Sequence, residues 1–236
     1  MSPSAYPLAG PRVPPANGQA THLVVLCHGY GADGNDLIAL APHWQRLMPG
    51  AAFVAPNGPE RCAEGPGYQW FPISRLDPHE LAHGVASAAP ILNGFIESEL
   101  AHHGLTADRL ALVGFSQGTM LSLAVGLARG AKPAAIVGYS GVLAGGVTPH
   151  LGADCPPILL IHGEADPMIP AEALFMSAGA LGAAGATVQW HLSAGLGHGI
   201  DETGLLLAGN FLSLALSGRL ARVAAEVSCP LTSDIA

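Results

Sequence analysis

The sequence predicts an α/β fold in which helices flank a doubly wound, mostly parallel sheet. Short apolar, β-branched segments alternate along the chain with longer segments of helical periodicity. Of the 236 residues, 50% are hydrophobic and only 11% are charged, which suffices for one large globular domain. The chain shows no internal repeat and no interdomain linker. We therefore expect a single domain at residues 21–218, preceded by a loose arm at 1–20 and followed by an extension at 219–236.

The predicted elements follow one another in strand–helix alternation. The first strand, 21–27, precedes a helix at 36–47 that Asn35 could cap. A short strand at 51–55 then leads into a long loop at 56–78, and long loops in compact domains are usually functional. The remaining elements are a helix from 79 to about 103, a strand at 109–113, a helix at 117–128, strands at 134–139 and 158–162, a helix at 171–183, a strand at 187–192 and a closing helix at 201–216.

The segment Gly114-Phe115-Ser116-Gln117-Gly118 directly follows the apolar run at 110–113. This spacing is typical of a nucleophile elbow, a sharp strand-to-helix turn that exposes a serine hydroxyl above the sheet. Because the turn is tight, the positions two before and two after the serine must be nearly free of side chain, and both are glycine. The pattern predicts that Ser116 is a catalytic nucleophile, with an ordinary helix-capping serine as the alternative.

A serine hydroxyl is a weak nucleophile that needs a base, and the base needs an orienting acid. Asp166 follows a predicted strand, and His198 lies in a glycine-rich loop before the last helix. The order Ser116, Asp166, His198 is that of the α/β-hydrolase fold. We expect Ser116 to attack the acyl carbon, His198 to transfer its proton and Asp166 to orient the imidazole. Glu164 is the alternative acid, and Ser140, which also follows a strand, is the alternative nucleophile.

The tetrahedral intermediate of acyl transfer needs backbone N–H donors aimed at its oxyanion. In this fold the residue after the nucleophile, here Gln117, supplies one donor, and the loop after an early strand supplies the other. We expect the second donor to be the backbone N–H of Tyr30. His28, in the same loop, is interpreted as a residue that shapes the loop and does not act as the base.

Seven segments, taken together and in their order along the chain, strengthen this interpretation. They lie across about residues 20–215 and comprise Leu26–Gly34, Ala55–Pro59, Gln69–Phe71, Gly114–Gly118, Tyr139–Gly141, Ile161–Asp166 and Gly197–Gly199. With them the chain resembles the phospholipase/carboxylesterase family of α/β-hydrolases, which includes acyl-protein thioesterases and small bacterial carboxylesterases. The arm and the C-terminal extension lie outside the resemblance.

The resemblance implies an α/β-hydrolase fold, a lightly covered active site and esterase or thioesterase activity without a cofactor. It supports Ser116, Asp166 and His198 as a catalytic triad and Tyr30 and Gln117 as oxyanion donors. The expected reaction is hydrolysis of carboxylic esters with short to medium acyl chains through an acyl-enzyme on the serine. Thioester hydrolysis, as in an acyl-protein thioesterase, and lysophospholipase activity are alternatives that would use the same triad.

Two segments are candidates for the wall of a substrate pocket. Trp70 and Phe71 lie in the long loop, where they could line an acyl or alcohol pocket or simply cover the core. Met168 and Ile169, which follow Asp166 closely, could line the same pocket.

A competing motif, His79-Glu80-Leu81-Ala82-His83, satisfies the H-E-x-x-H pattern of zinc peptidases. Its histidines could bind zinc with Glu80 as base, but a third ligand is required. The candidates by sequence distance are His102, His103, Glu97 and Glu99. The motif falls in the first turn of its helix, and Ala86 occupies a position where the metzincin extension needs glycine. We favour a solvated helix start and expect no metal. A non-catalytic binding module is the remaining alternative, and the complete triad argues against it.

Composition limits the other functional classes. A formal net charge of -8 without a Lys/Arg cluster argues against a nucleic-acid-binding surface. The four cysteines, Cys27, Cys62, Cys155 and Cys229, form no C-x-x-C pair, so we expect reduced thiols in a cytoplasmic protein. Residues 1–20 lack the features of a signal peptide, and no apolar stretch reaches the ~18–20 residues of a membrane span. We expect a small-molecule ester substrate, no stable membrane insertion and a surface compatible with a homodimer.

Overall fold

The structure is a computed structural model that describes residues 8–63, 65–74, 77–146, 151–152 and 154–220. The strands are β1 (Arg12–Val13), β2 (His22–Cys27), β3 (Ala51–Val54), β4 (Glu60–Arg61), β5 (Tyr68–Gln69), β6 (Leu110–Phe115), β7 (Ala135–Tyr139), β8 (Ile158–Gly163) and β9 (Val188–Ser193). The helices are α1 (Gly34–Ile38), α2 (Ala41–Gln45), α3 (Pro78–His103), α4 (Gln117–Ala128), α5 (Glu172–Ala183) and α6 (Glu202–Leu216), with a short 3-10 helix at Ala107–Arg109.

Seven of the described strands form one sheet in the order β1-β3-β2-β6-β7-β8-β9. All neighbours in this sheet are parallel except β1, which runs antiparallel to β3. The central strands are almost continuously apolar and buried, as expected for parallel strands covered on both faces. The predicted fold class, a doubly wound and mostly parallel sheet of the α/β-hydrolase type, is confirmed.

The hydrophobic core consists of two layers, one on each face of the sheet. Along β2, Leu23 and Val25 point into the layer covered by α3, α4 and α5. Val24 and Leu26 point into the layer covered by α1, α2 and α6. This alternation follows from the two-residue period of a strand. Helices on both faces leave only the ends of the central strands accessible to a ligand.

The topology defines where a site can form. Strand β2 pairs with β3 on one side and with β6 on the other, so the strand order reverses between β2 and β6. Ligands of open α/β sheets bind at such a switch point, beyond the carboxyl ends of the strands. Cys27 and Gly114 are register partners there, which places the loop after β2 beside the turn after β6.

The N-terminal segment differs from the prediction of a loose arm. Arg12 and Val13 pair with β3 at the sheet edge, and the guanidinium of Arg12 bonds the carboxylate of Glu99 on α3 at 2.5 Å. A two-residue edge strand among prolines carries too little periodicity to be recognised from sequence. The extension beyond residue 220, including Cys229, lies outside the described residues.

Two other segments are also more divided than predicted. The helix expected at 36–47 is split into α1 and α2. Asp33, and not Asn35, caps α1, and it forms a capping box with Asp36. The long loop at 56–78 contains a small antiparallel hairpin of β4 and β5.

None of the helices in the described ranges has the combination of length and apolar character needed to cross a bilayer.

Candidate active site

Ser116 is the single residue between the end of β6 and the start of α4. Its backbone adopts φ 53° and ψ -114°, a left-handed conformation that L-residues other than glycine seldom occupy. A Cβ on Gly118 would collide with the carbonyl oxygen of Cys27, and a Cβ on Gly114 would collide with the backbone of Gly118. The close packing of three backbone segments therefore explains both glycines of the motif and holds the serine in its strained conformation.

Contacts from β7 and α4 secure this turn. The backbone N–H of Ser116 donates to the carbonyl oxygen of Tyr139 at 2.8 Å. The hydroxyl of Thr119 lies 2.8 Å from the carbonyl oxygens of both Gly114 and Tyr139. Ser116 itself is partly exposed.

Asp166 and His198 form a hydrogen-bonded pair beside the serine turn. His198 Nδ1 lies 2.7 Å from Asp166 Oδ2. Because a carboxylate only accepts, Nδ1 carries the hydrogen, which leaves Nε2 available to accept a proton. The imidazole packs against the ring of Phe115, with centroids 4.9 Å apart, directly before Ser116 in the chain. No hydrogen bond joins the Ser116 hydroxyl to His198 among the described contacts, and in free hydrolases this contact often tightens only when substrate binds.

The carboxylate of Asp166 is held by several donors. Its Oδ1 accepts the backbone N–H groups of Met168 at 2.8 Å and Ile169 at 3.0 Å. Burial alone would raise the pKa of Asp166, but the N–H of Ile169, the imidazole of His198 and the N–H of Met168 together lower this pKa below its ordinary value. Asp166 is therefore ionised at neutral pH and can stabilise an imidazolium on His198.

The loop after β2 lies against the nucleophile. A Cβ added to Gly29 would lie 3.3 Å from the Cβ of Ser116, so the backbone of this loop borders the serine. Tyr30 follows directly, and the N–H of Gly31 bonds the carbonyl of Tyr68 on β5 at 2.9 Å. The loop of Tyr30 thus lies beside the elbow, and Gln117, the residue after Ser116, is the first residue of α4.

His28 organises this loop from inside the protein. Its Nε2 accepts the backbone N–H of Gly58 at 2.8 Å, so Nδ1 must carry the hydrogen that bonds the carbonyl oxygen of Gly29 at 2.7 Å. The indole N–H of Trp70 donates to the carbonyl of His28 at 2.9 Å. Burial lowers the pKa of His28, which matches its use as a neutral, loop-shaping group.

Gln117 has a structural role that the sequence analysis misses. Its side-chain Oε1 accepts the backbone N–H of Trp70 at 2.8 Å, and its Nε2 donates to the carbonyl of Phe71 at 2.7 Å. The buried amide thus ties the start of α4 to the loop after β5. Its partners are main-chain atoms far away in sequence, so no side-chain pattern could indicate this contact.

Comparison with known proteins identifies the family of the chain. A family model of phospholipases and carboxylesterases matches residues 8–216. The chain belongs to the phospholipase/carboxylesterase family. The resemblance seen in the sequence is therefore confirmed, and the protein is a hydrolase of ester bonds.

Named members of the phospholipase/carboxylesterase family are similar over most of the chain. An acyl-protein thioesterase 1 of Gibberella zeae is 31% identical over 209 residues, covering 80% of this chain and 88% of its own. The esterase YpfH of Escherichia coli is 27% identical over 189 residues, covering 80% of this chain and 81% of its own. The crystal structure of esterase PE8 superimposes with a TM-score of 0.80 at 40% identity, covering 87% of this chain and 97% of its own.

The protein also contains an apolar cavity of about 560 Å³. It is formed by the first turns of α3, the loop at 142–146 and the segment at 169–176. Of the four residues predicted to line a pocket, Ile169 contributes to this cavity. Trp70 and Phe71 are buried in the core layer under α3, and Met168 is 60% exposed. The aromatic pair thus fits the alternative that these residues cover the core.

The alternative nucleophile and acid occupy other positions. Ser140 is fully buried, although its φ of 45° is also left-handed, and its hydroxyl points to the carbonyl of Gly199. Glu164 is exposed and accepts the backbone N–H of Gly195 at 3.0 Å. Neither residue is placed as Ser116 and Asp166 are.

The H-E-x-x-H segment opens α3 as a solvated first turn. Asp77 caps the helix by accepting the N–H groups of His79 and Glu80. The carboxylate of Glu80 accepts the N–H and the hydroxyl of Ser74, both at 2.7 Å. In the part of the chain that the structure describes, no group of three or more metal-ligating side chains is gathered. The motif is therefore explained by helix capping and solvation.

Proposed function

We propose that this protein is a serine carboxylesterase that hydrolyses carboxylic esters through an acyl-enzyme on Ser116. The observation that carries the proposal is the Asp166–His198 pair, bonded at 2.7 Å and packed beside the strained serine. An ionised acid, a correctly oriented imidazole and an accessible hydroxyl are the groups that serine-dependent acyl transfer needs.

In the proposed reaction, the Ser116 oxygen attacks the acyl carbon while Nε2 of His198 takes the hydroxyl proton. The C–O bond to the leaving alcohol then breaks, and the imidazolium returns the proton to that oxygen. Water, deprotonated by the same nitrogen, attacks the acyl carbon of the acyl-enzyme. The bond from that carbon to the Ser116 oxygen breaks, the imidazolium returns the proton to this oxygen, and the acid is released. Asp166 stays ionised throughout and stabilises the imidazolium.

The backbone N–H groups of Gln117 and Tyr30 are the proposed oxyanion donors. Gln117 is the first residue of α4, so its N–H adds to the positive end of a 12-residue helix. The proximity of the loop after β2 to Ser116 supports a donor from that side. Each such donor typically lowers the activation barrier by about 3–4 kcal/mol.

The cavity of about 560 Å³ is the proposed acyl site, because it is largely apolar and begins at Ile169, close to Asp166. Burial there gains roughly 0.8 kcal/mol per methylene, which favours short to medium acyl chains over acetate. Thioesters are the second substrate class, supported by the similarity to an acyl-protein thioesterase. The thiols of Cys27 and Cys62, which form no disulfide among the described residues, support a cytoplasmic location.

Fluorophosphonate labelling followed by mass-spectrometric peptide mapping tests the nucleophile. We expect stoichiometric modification of Ser116, loss of labelling and esterase turnover in Ser116→Ala, and retention of both in Ser140→Ala. Labelling of Ser140, or turnover by Ser116→Ala, would contradict the proposal. A pH profile of the rate tests His198 as the general base, and a profile that is flat between about pH 5 and pH 8 would exclude it.

A further inference from the structure

His162 contacts the proposed catalytic acid from the core side. It lies on β8 with an exposed fraction of only 1%. Its Nε2 is 2.9 Å from the carbonyl oxygen of Ile169 and 3.3 Å from Oδ2 of Asp166. Both oxygens are acceptors, so Nε2 must carry the hydrogen and can donate to them.

This imidazole completes a closed set of contacts around the acid. The backbone N–H of Ile169 donates to Oδ1 of Asp166 at 3.0 Å, while its carbonyl accepts from His162 at 2.9 Å. The backbone of Ile169 is thus bound at two points, its N–H by Asp166 and its carbonyl by His162 on β8. The turn that carries Asp166 is thereby fastened to β8, which pairs with a strand on each side.

We propose that His162 is a positioning residue that sets the place of the Asp166 carboxylate relative to His198. The inference rests on the proposed function and deepens it. His162 Nε2 lies 3.3 Å from Oδ2 of Asp166, the same oxygen that His198 Nδ1 bonds at 2.7 Å, so His162 acts through Asp166. Its loss lets the 166–169 turn shift, so the carboxylate supports the imidazolium less well.

The turn and the elements around it carry three other acidic residues. Glu164, on the same turn, accepts the N–H of Gly195. Asp201, at the start of α6, accepts the N–H of Gly204 at 2.7 Å, and Glu172 lies in the first turn of α5. A change in pH dependence on removal of His162 therefore reports on Asp166 and His198.

Three substitutions separate positioning from packing. His162→Met removes the donor and keeps much of the volume. His162→Gln keeps an N–H at nearly the reach of Nε2. The side chain in His162→Asn is too short to reach Ile169, and this variant replaces His162→Met if the Met variant does not fold. His22→Met is the matched control, because His22 Nε2 also bonds a main-chain carbonyl, that of Leu216 at 3.0 Å, at the opposite end of the sheet.

The experiment measures the rate of fluorophosphonate labelling against pH for each variant, together with the thermal unfolding midpoint. We expect His162→Met or His162→Asn to label about 10- to 100-fold more slowly, because small displacements of catalytic groups have effects of this size. The acid limb of the profile should move to lower pH, since a displaced carboxylate stabilises the imidazolium less. His162→Gln should restore most of the labelling rate and most of the position of the acid limb. His22→Met should lower only the unfolding midpoint.

Two results would overturn the inference. One is a donor-free variant whose rate and acid limb match those of the wild type. The other is a slow variant with an unmoved limb that His162→Gln does not rescue, because this identifies a purely structural effect. Failure of the wild-type protein to label at Ser116 would instead reject the proposed function, so the two failures are distinguishable.

Discussion

The side chain of Gln117 bonds the main chain on both sides of the peptide that joins Trp70 to Phe71. It accepts the N–H of Trp70 at 2.8 Å and donates to the carbonyl of Phe71 at 2.7 Å. Trp70 in turn donates its indole N–H to the carbonyl of His28 at 2.9 Å. The helix after the nucleophile, the loop after β5 and the loop after β2 are thereby joined in one buried network.

Gln117→Ala should destabilise this network while it retains the backbone N–H at position 117. Two buried main-chain groups lose their partners, and we expect the free energy of unfolding to fall by about 2–4 kcal/mol. Urea denaturation followed by tryptophan fluorescence measures the effect. Gln189→Ala, at an exposed position on β9, is the control and should change stability by less than about 0.5 kcal/mol. Equal stability of the two variants would show that the network contributes nothing.

Gly118→Ala should be much more damaging than an ordinary glycine substitution. Its Cβ would collide with the carbonyl oxygen of Cys27, a backbone atom that cannot move aside. We expect a loss of about 3 kcal/mol or more in the free energy of unfolding, together with loss of labelling at Ser116.

Gly182→Ala on α5 is the matched control for the elbow glycine. An added Cβ there meets nothing within 4 Å, and the substitution should stabilise the helix by about 0.5–1 kcal/mol. Similar unfolding free energies for the two variants would contradict the packing argument for the elbow.

The sequence predicts the central strands and long helices well because their signals are local. The apolar runs of β2, β6 and β8 and the helix α4 recur in the structure within about two residues. The site order Ser116, Asp166, His198 is likewise readable, because each residue follows a predicted strand or precedes a predicted helix.

Features that depend on distant main-chain atoms are not readable in this way. The partners of Gln117 and His162 are backbone groups supplied by tertiary packing. Strand β1 exists because β3 offers an unpaired edge, and its own two residues show no periodicity. Trp70 is buried and bonds His28 and Gln117, contacts that no local pattern encodes.

Stability should fall as the pH decreases below neutrality, and His28 should account for part of this loss. Burial lowers the pKa of His28 below 6.5, so the unfolded chain takes up the proton more readily than the folded protein. Its contribution to stability is therefore complete above the unfolded pKa and disappears as the pH falls through the lower folded pKa. Protonation would also remove the acceptor for the N–H of Gly58.

His28→Gln tests this assignment because an amide offers one acceptor and one donor without titrating. Unfolding midpoints at a series of pH values from about 7 to 5 should vary less in this variant than in the wild type. Burial also lowers the pKa of His22, so a residual slope is expected, and His22→Gln provides the comparison. A slope in His28→Gln as steep as that of the wild type would show that His28 does not titrate in this range.

Ala82→Phe should shorten the acyl site without touching the catalytic groups. Ala82 lines the cavity of about 560 Å³ on α3, and a phenyl ring there would occupy space that the distal part of an acyl chain would fill. If two or three methylenes are excluded, kcat/KM for p-nitrophenyl laurate should fall by about 10- to 50-fold, whereas the value for the butyrate ester should hardly change. Ala101→Phe, at an exposed position on the same helix, should leave both values unaltered. An equal fall for the two esters in Ala82→Phe would place the acyl chain outside this cavity. If the chain lies in the cavity along α3, the phenyl ring must slow the reaction of the longer ester more than that of the shorter one.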